Sequence, residues 1–300
     1  MMSGAGAGDR GSRAVEDLGD RDWYRLPAWY DVLHAAGTAA EVDGLERVLA
    51  RFVARPIGAR ERVVWLEPGC GTGRSLRVIA GRGGAALGFD AEPAMVAYAE
   101  RSLARPTVHG AGGSAAVWVD RMESFGWPEA ARRAAGGRGA DLAFNLISTV
   151  RHLPTDEAVV AHLRRVAAAL EPGGVYAVGL GVTAYGAEFE TEDVWEGARG
   201  SVRVTQAAQY LPATRAERLE RVVSHLTVTS PRRERHVDTM YELRAYSGAE
   251  WAEVVRRAGL EVAAVVDEAG RDYPCPSGKR WDEDGAAGYA VWVLRAGAGG

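Results

Sequence analysis

Apolar positions along the chain form unbroken runs, helical stripes and alternations in twos. Their order changes once, near residue 184. Residues 1–20 show no apolar period and are expected to be a disordered tail. The segment DWYRLPAWYDVLH (22–34) is too short and irregular to predict a core element. Asp43 can cap a helix whose apolar face is Leu45, Val48, Leu49 and Phe52, with Pro56 and Gly58 ending it. From residue 62, strand and helix patterns alternate. RVVWLE (62–67) is a continuous apolar run, as expected of a strand buried on both faces. A helix through Ile79 follows, then the strand ALGFD (86–90). Pro93 suits the first turn of a helix bearing Met95, Val96, Ala99 and Leu103. VWVD (117–120) and ADLAFNLI (140–147) predict two more strands. Thr155 opens a helix through Leu170, broken by EPGG ahead of the strand VYAVGL (175–180).

This order predicts a mostly parallel seven-stranded α/β sheet with helices on both faces. Residues 202–210, 219–230 and 235–245 then alternate in twos and predict an antiparallel patch inserted into it. Ser247 and Glu250 form a capping box for a helix ending at Gly259. LEVAAVVDE (260–268) and GYAVWVLRA (288–296) supply the last two strands, joined by an exposed, mobile loop. The expected organisation is a tail (1–20), a lid and helix (21–55), a core (56–183), the insertion (184–246) and a C-terminal return to the core (247–300).

Bulk chemistry narrows the classes. The net charge is −4, which argues against nucleic acid as the main partner, since phosphate binding needs a basic face. No window approaches the roughly 18 apolar residues of a membrane span. The start lacks the apolar stretch of a secretory signal. Cys70 and Cys275, the two cysteines, fit neither a disulfide framework nor a metal site, so a cytoplasmic setting is expected. The histidines form no HxH or HxxxH pair, and no metal is expected.

The candidate chemistry begins at VVWLEPGCGTGRSL (63–76). Strand, acid, glycine turn and helix place backbone N–H groups and a helix N-terminus at the C-terminal edge of a sheet. A dinucleotide loop wants G-x-G-x-x-G. Here the spacing is Gly69, Gly71, Gly73, and Arg74 occupies the slot of the third dinucleotide glycine. Glu67 suits a cationic ligand and repels a pyrophosphate. S-adenosylmethionine carries an ammonium and a sulfonium and has no phosphate, so the loop fits it better than NAD.

LEPGCGTGRSL resembles motif I, E-x-G-x-G-x-G, of the class I S-adenosylmethionine-dependent methyltransferases, and the likeness covers residues 62–182 and the last two strands. It implies a Rossmann-like methyltransferase fold and a cofactor site at Glu67, Gly69, Cys70, Gly71 and Gly73. It further implies Asp90 at the ribose diol, followed by Ala91 and Met95, and Asp120 at the adenine amino group with Arg121 and Met122 along the base. Asn145 and Leu146 would pass under the methionine part. A carboxylate suits a diol because its two oxygens accept both hydroxyl protons. For Asp90 a simple helix cap is the plainer alternative.

Methyl transfer asks mainly for alignment and exclusion of water, with a strong base needed only for a hydroxyl or protonated amine. The stretch Tyr30, Asp31, His34 resembles the N-terminal lid of small-molecule methyltransferases, which would put Tyr30 near the sulfonium or the cofactor carboxylate. Packing of Tyr24, Trp29 and Tyr30 onto the sheet is the alternative. Candidate acid–base groups are His152, His34, His225, His236 and Tyr241, with His152 best placed just past the fourth strand. His152 and Tyr30 are the catalytic candidates. Tyr24, Tyr30, His34, Arg151 and Tyr241 are candidates for the acceptor. In residues 235–243 either Val237, Thr239, Tyr241 and Leu243 or His236, Asp238, Met240 and Glu242 face inward. PRRERH (231–236) reads as a solvated turn or as a greeting for an anion.

The favoured function is methylation of a small-molecule N or O acceptor. A protein or nucleic-acid methyltransferase and a non-catalytic cofactor-binding protein are the alternatives. Membrane is not an expected partner, and a homodimer is left open.

Overall fold

The structure, a computed structural model, describes residues 14–20, 23–54, 62–105, 108 and 112–297. In chain order the strands are β1 (Ala14–Asp20), β2 (Val64–Pro68), β3 (Ala85–Asp90), β4 (Ser114–Val119), β5 (Ala140–Asn145), β6 (Leu170–Val182), β7 (Thr191–Arg199), β8 (Val202–Leu211), β9 (Leu219–Thr229), β10 (Arg233–Arg244), β11 (Leu260–Val266) and β12 (Gly288–Ala296). The helices are α1 (Pro27–His34), α2 (Thr38–Phe52), α3 (Arg74–Gly81), α4 (Pro93–Leu103), α5 (Glu129–Ala134), α6 (Asp156–Ala169) and α7 (Gly248–Arg257).

Seven strands form one sheet in the order β11-β12-β6-β5-β2-β3-β4. Strands β2 to β6 pair in parallel, and β12 runs antiparallel to both its neighbours. The runs read as doubly buried strands are so. Leu66, Leu87 and Tyr176 pack on one face against α5, α6 and α7; Trp65, Ala86 and Phe144 pack on the other against α2 and α3. Thr155 caps α6 through the Ala158 N–H, and Ser247 and Glu250 make the full capping box of α7. Residues 171–174 do not precede β6; they lie within its span.

A second sheet of five strands, β1-β10-β9-β8-β7, carries the antiparallel patch. Its buried side, Val204, Leu226, Val228 and Val237, packs on Trp23, Val32 and Leu33. Segment 22–34 is therefore not an irregular surface stretch. Trp23–Arg25 form a 3-10 turn and Pro27 starts α1, whose buried residues sit between the second sheet and helices α3 and α4. Two strands lie outside the sequence expectation. In the segment expected to be a disordered tail, the main chain of residues 14–20 pairs in parallel with β10. β7 is almost wholly exposed, and its acidic and basic residues conceal the alternation.

Asp43 does not cap α2. The helix starts earlier, at Thr38 behind Gly37 in the left-handed region, and Asp43 pairs with Arg82 at 2.7 Å. Pro56 and Gly58 lie outside the described residues. The loop before β12 is exposed in part only: Cys275 is buried and the Trp281 ring packs against Trp292, its indole N–H donating to the Tyr273 carbonyl. No helix among the described residues is long and apolar enough to cross a membrane.

Candidate active site

The site forms where β2 and β5 end, at the carboxyl edge of the large sheet, as expected of open α/β sheets. Pro68 closes β2 and the chain turns through Gly69, Gly71 and Gly73 at φ of 67°, 51° and 68°, a left-handed region that favours glycine. The Cys70 N–H donates to the Phe89 carbonyl, and the Gly71 N–H donates to Asp90 Oδ2 at 2.8 Å. A solvent-open cleft lies above this turn, lined in part by Tyr30, Glu67, Gly69, Cys70, Gly71, Asn145 and Leu146. Gly73 serves helix packing instead: a Cβ there would press on the Ala99 side chain of α4 at 3.1 Å.

Two acceptors in the cleft wall are unpaired. Asn145 donates from Nδ2 to the Pro68 carbonyl at 2.7 Å, while its Oδ1 is buried without a partner. Glu67 Oε2 is likewise buried and without a hydrogen-bond partner. Burial pushes the Glu67 carboxyl up to about 8, although the nearby Arg74 charge works the other way. Arg74 is itself committed, to Glu41 at 2.7 Å and to Thr38 Oγ1 at 3.0 Å. Both unpaired atoms are oxygens, and with Glu67 ionised they accept from a cation bearing N–H groups.

Asp90 ends β3 and takes the N–H groups of Gly71 and Glu92. It is not the cap of α4, because Glu92 accepts the Ala94 N–H in that role. Met95 is 1% exposed and, like Ala91, lies outside the cleft lining. Asp120 accepts the N–H groups of Arg121 and Gly126, closing a local turn. The Arg121 side chain is 70% exposed and paired with Glu123. Met122 Sδ lies 4.0 Å from Asn145 Nδ2, beneath the loop.

On the α1 side the Tyr30 ring lies within 3.9 Å of a Cβ built on Gly71 and tilts against His34, ring centroids 4.3 Å apart. Burial drives the Tyr30 phenol up to about 12 and the His34 imidazole down to about 4. Beside it the Tyr24 hydroxyl and His152 Nε2 are 2.9 Å apart, and the Tyr241 ring lies against both. His152 sits on an open but protein-crowded surface. The crowding, then the Arg151 charge, push its imidazole down to about 4. Arg151 is taken up by Glu220 at 3.0 Å and by the Arg244 carbonyl at 2.7 Å.

The inward face of β10 is settled: Val237, Thr239 and Leu243 are buried, while Met240 is 67% exposed. His225 and His236 lie on the outer face, 3.0 Å from each other, remote from the cleft side. Arg235, from the basic turn, is spent on Glu16 and the Trp29 ring. Sequence reasoning missed Thr72, Ile147 and Thr149 in the cleft wall. It also missed the role of Asp31, 2% exposed, which accepts from Thr72, Arg77, Tyr98 and Arg199. Among the described residues no cluster of three or more His, Cys, Asp or Glu is placed to hold a metal ion.

Residues 66–174 match the family model described as a methyltransferase domain. No curated protein matches the chain. Among solved structures the fold is similar to DesVI of Streptomyces venezuelae, at 19% identity and TM-score 0.65 over 92% of this chain and 99% of that one. It is also similar to the sugar N-methyltransferase KedS8 of a Streptoalloteichus species, at 18% identity and TM-score 0.61 over 98% of each chain. CalS10, an amino pentose methyltransferase of Micromonospora echinaspora, matches at 20% identity and TM-score 0.58 over 92% and 98%. Residues 66–174 thus carry a methyltransferase domain, and the strand order and glycine loop belong to the Rossmann-like fold that these methyltransferase structures share.

Proposed function

We propose that the enzyme methylates a small-molecule acceptor held at the mouth of the cleft beside Tyr24, His152 and Tyr241, with an amine favoured over a hydroxyl. The observation that carries the reading is the pair of buried, unpaired acceptors, Glu67 Oε2 and Asn145 Oδ1, beside the Tyr24–His152–Tyr241 cluster. S-adenosylmethionine, when bound, supplies an ammonium for those acceptors and a methyl group already activated on sulfur. In this reading the loop backbone at Gly69, Cys70 and Gly71 approaches the ligand closely. Asp90, with Ala91 and Met95 behind it, holds the ribose; Asp120 and Met122 border the base; Leu146 underlies the methionine part.

His152, its imidazole pushed down by the surrounding protein and the Arg151 charge, can accept a hydrogen bond from an acceptor or from Tyr24 and is a weaker base than a free imidazole. The Tyr30 phenol stays protonated. These side chains therefore orient an acceptor that arrives with its lone pair free, and they exclude water. A neutral amine attacks without prior loss of a proton, whereas a hydroxyl needs a base to take its proton. The sugar and amino pentose acceptors named for the structural relatives support the same class.

Calorimetry with S-adenosylmethionine, followed by mass spectrometry of paired amine and hydroxyl analogues, tests both parts. Absence of binding in the micromolar range sinks the cofactor site. Equal methylation of hydroxyl analogues sinks the preference for nitrogen.

A further inference from the structure

We propose that Asp31 is a positioning residue that couples the antiparallel sheet to the cofactor loop, so that Arg199, on the sheet, sets cofactor affinity without touching the cleft. The inference rests on the reading of the cleft as the cofactor site. Asp31 is buried in α1, one residue from Tyr30, and its two oxygens gather donors from four places. Oδ1 accepts the Thr72 hydroxyl at 2.9 Å and Arg77 Nη2 at 2.6 Å. Oδ2 accepts the Tyr98 hydroxyl at 2.9 Å and Arg199 Nη2 at 2.7 Å. Thr72 belongs to the glycine turn and lines the cleft; Arg77 belongs to α3, Tyr98 to α4 and Arg199 to the end of β7.

Each partner is tied a second time. Arg77 also donates to the Thr72 carbonyl, and Arg199 also donates to the Tyr98 hydroxyl and the Asp31 carbonyl. Buried charge-assisted bonds are short and directional, and removing one partner leaves the others poorly compensated. A shift of β7 that carries Arg199 away therefore leaves Asp31 facing a single arginine. The carboxylate then re-orients toward Arg77 and draws on the Thr72 hydroxyl. The same shift frees the α1 segment that holds Tyr30 over Gly71. Because coupling between two sites is reciprocal, an acceptor seated against the sheet would in turn tighten the loop.

Arg199 is the place to test this, because its side chain is 50% exposed and its loss does not open the core. Arg199→Ala is expected to weaken S-adenosylmethionine binding about tenfold by calorimetry. Hydrogen exchange of residues 27–34 and of the glycine turn should rise in the ligand-free protein, and Arg199→Lys should restore part of both. A lowered melting temperature with unchanged affinity and unchanged exchange in the turn would overturn the coupling and leave Arg199 merely structural. If the wild-type protein itself binds no S-adenosylmethionine, the cofactor reading fails first. Wild-type binding with an Arg199→Ala affinity equal to it fails the coupling alone.

Discussion

Glu67 shows how one buried carboxyl can report on its ligand. With a pKa near 8 it is mostly protonated at neutral pH, and its Oε2 has no partner. A cationic ligand prefers the carboxylate, so binding must expel a proton, and affinity should rise with pH until about 8 and then level. Calorimetry at pH 7 in buffers of different ionisation enthalpy should show that release. Glu67→Gln should abolish it and weaken binding by about 10- to 100-fold, the range for one hydrogen bond to a charged group. A variant that binds as tightly as the wild type would show that the acid does not meet the cofactor. Strain is localised close by. Ile147 and Ser148 both have positive φ, 49° and 59°, and Ile147 is β-branched. The turn is held by the Tyr289 hydroxyl, which accepts the Ile147 N–H, and by the Gly179 carbonyl, which accepts the Ser148 N–H. Ile147→Gly should gain about 0.5–1 kcal/mol in denaturant titrations, after the entropy cost of glycine. No gain would mean the turn is relaxed as it stands.

Among the elements, β7 and α1 approach each other backbone to backbone at Gly197 and Val32. A Cβ on Gly197 would overlap the Val32 carbonyl oxygen, which only a shift of main chain relieves. Gly197→Ala should therefore cost about 1–3 kcal/mol and raise hydrogen exchange over residues 27–34. Normal stability with wild-type exchange would show that the lid and strand part easily. The same contact explains what the sequence could and could not reveal. β2, β3, β5 and β6 are legible because strands buried on both faces need unbroken apolar runs. The caps of α6 and α7 are legible because the capping atoms lie within three residues. β7 and β1 are illegible: both form sheet edges, where polar residues are tolerated and pairing leaves little mark on composition. The site divides in the same way. Glu67, the glycines and Asp90 form local turns with a recognisable spacing. Asp31 draws partners 41 to 168 residues away, and no local pattern records them.

Across the whole molecule the buried titratable groups oppose one another, which fixes where the ligand-free protein is most stable. His162 is fully buried between the Met122 carbonyl and the Tyr176 hydroxyl, at 3.1 Å and 2.7 Å. A carbonyl can only accept, so Nδ1 carries the proton; burial keeps the ring neutral, so Nε2 accepts from the Tyr176 hydroxyl. Burial pushes this imidazole from 6.5 down to about 4. Between those values the unfolded chain binds the extra proton, so stability rises with pH through that window, by about 3 kcal/mol for this group. His34 acts in the same direction. Glu67 acts in the other: its folded pKa is near 8 against 4.5 unfolded, so the folded state holds the extra proton and stability falls as pH rises between them. The carboxylates of Asp31 and Asp156, held low by arginine partners despite their burial, contribute above pH 3.8 and lose that contribution as pH falls below it. Above 6.5 the Glu67 slope remains, with the Asp90 and Glu188 carboxyls, also raised by burial, acting in the same direction, so the melting temperature of the ligand-free protein should peak near pH 6.5 and decline toward pH 8. Glu67→Gln should remove most of the decline while keeping the loss on the acid side, and saturating S-adenosylmethionine should do the same in the wild type. Thermal scans between pH 5 and 8.5 decide the matter: a flat wild-type profile above 6.5 would mean that Glu67 is already ionised in the folded protein, and that the cleft was never short of a cation.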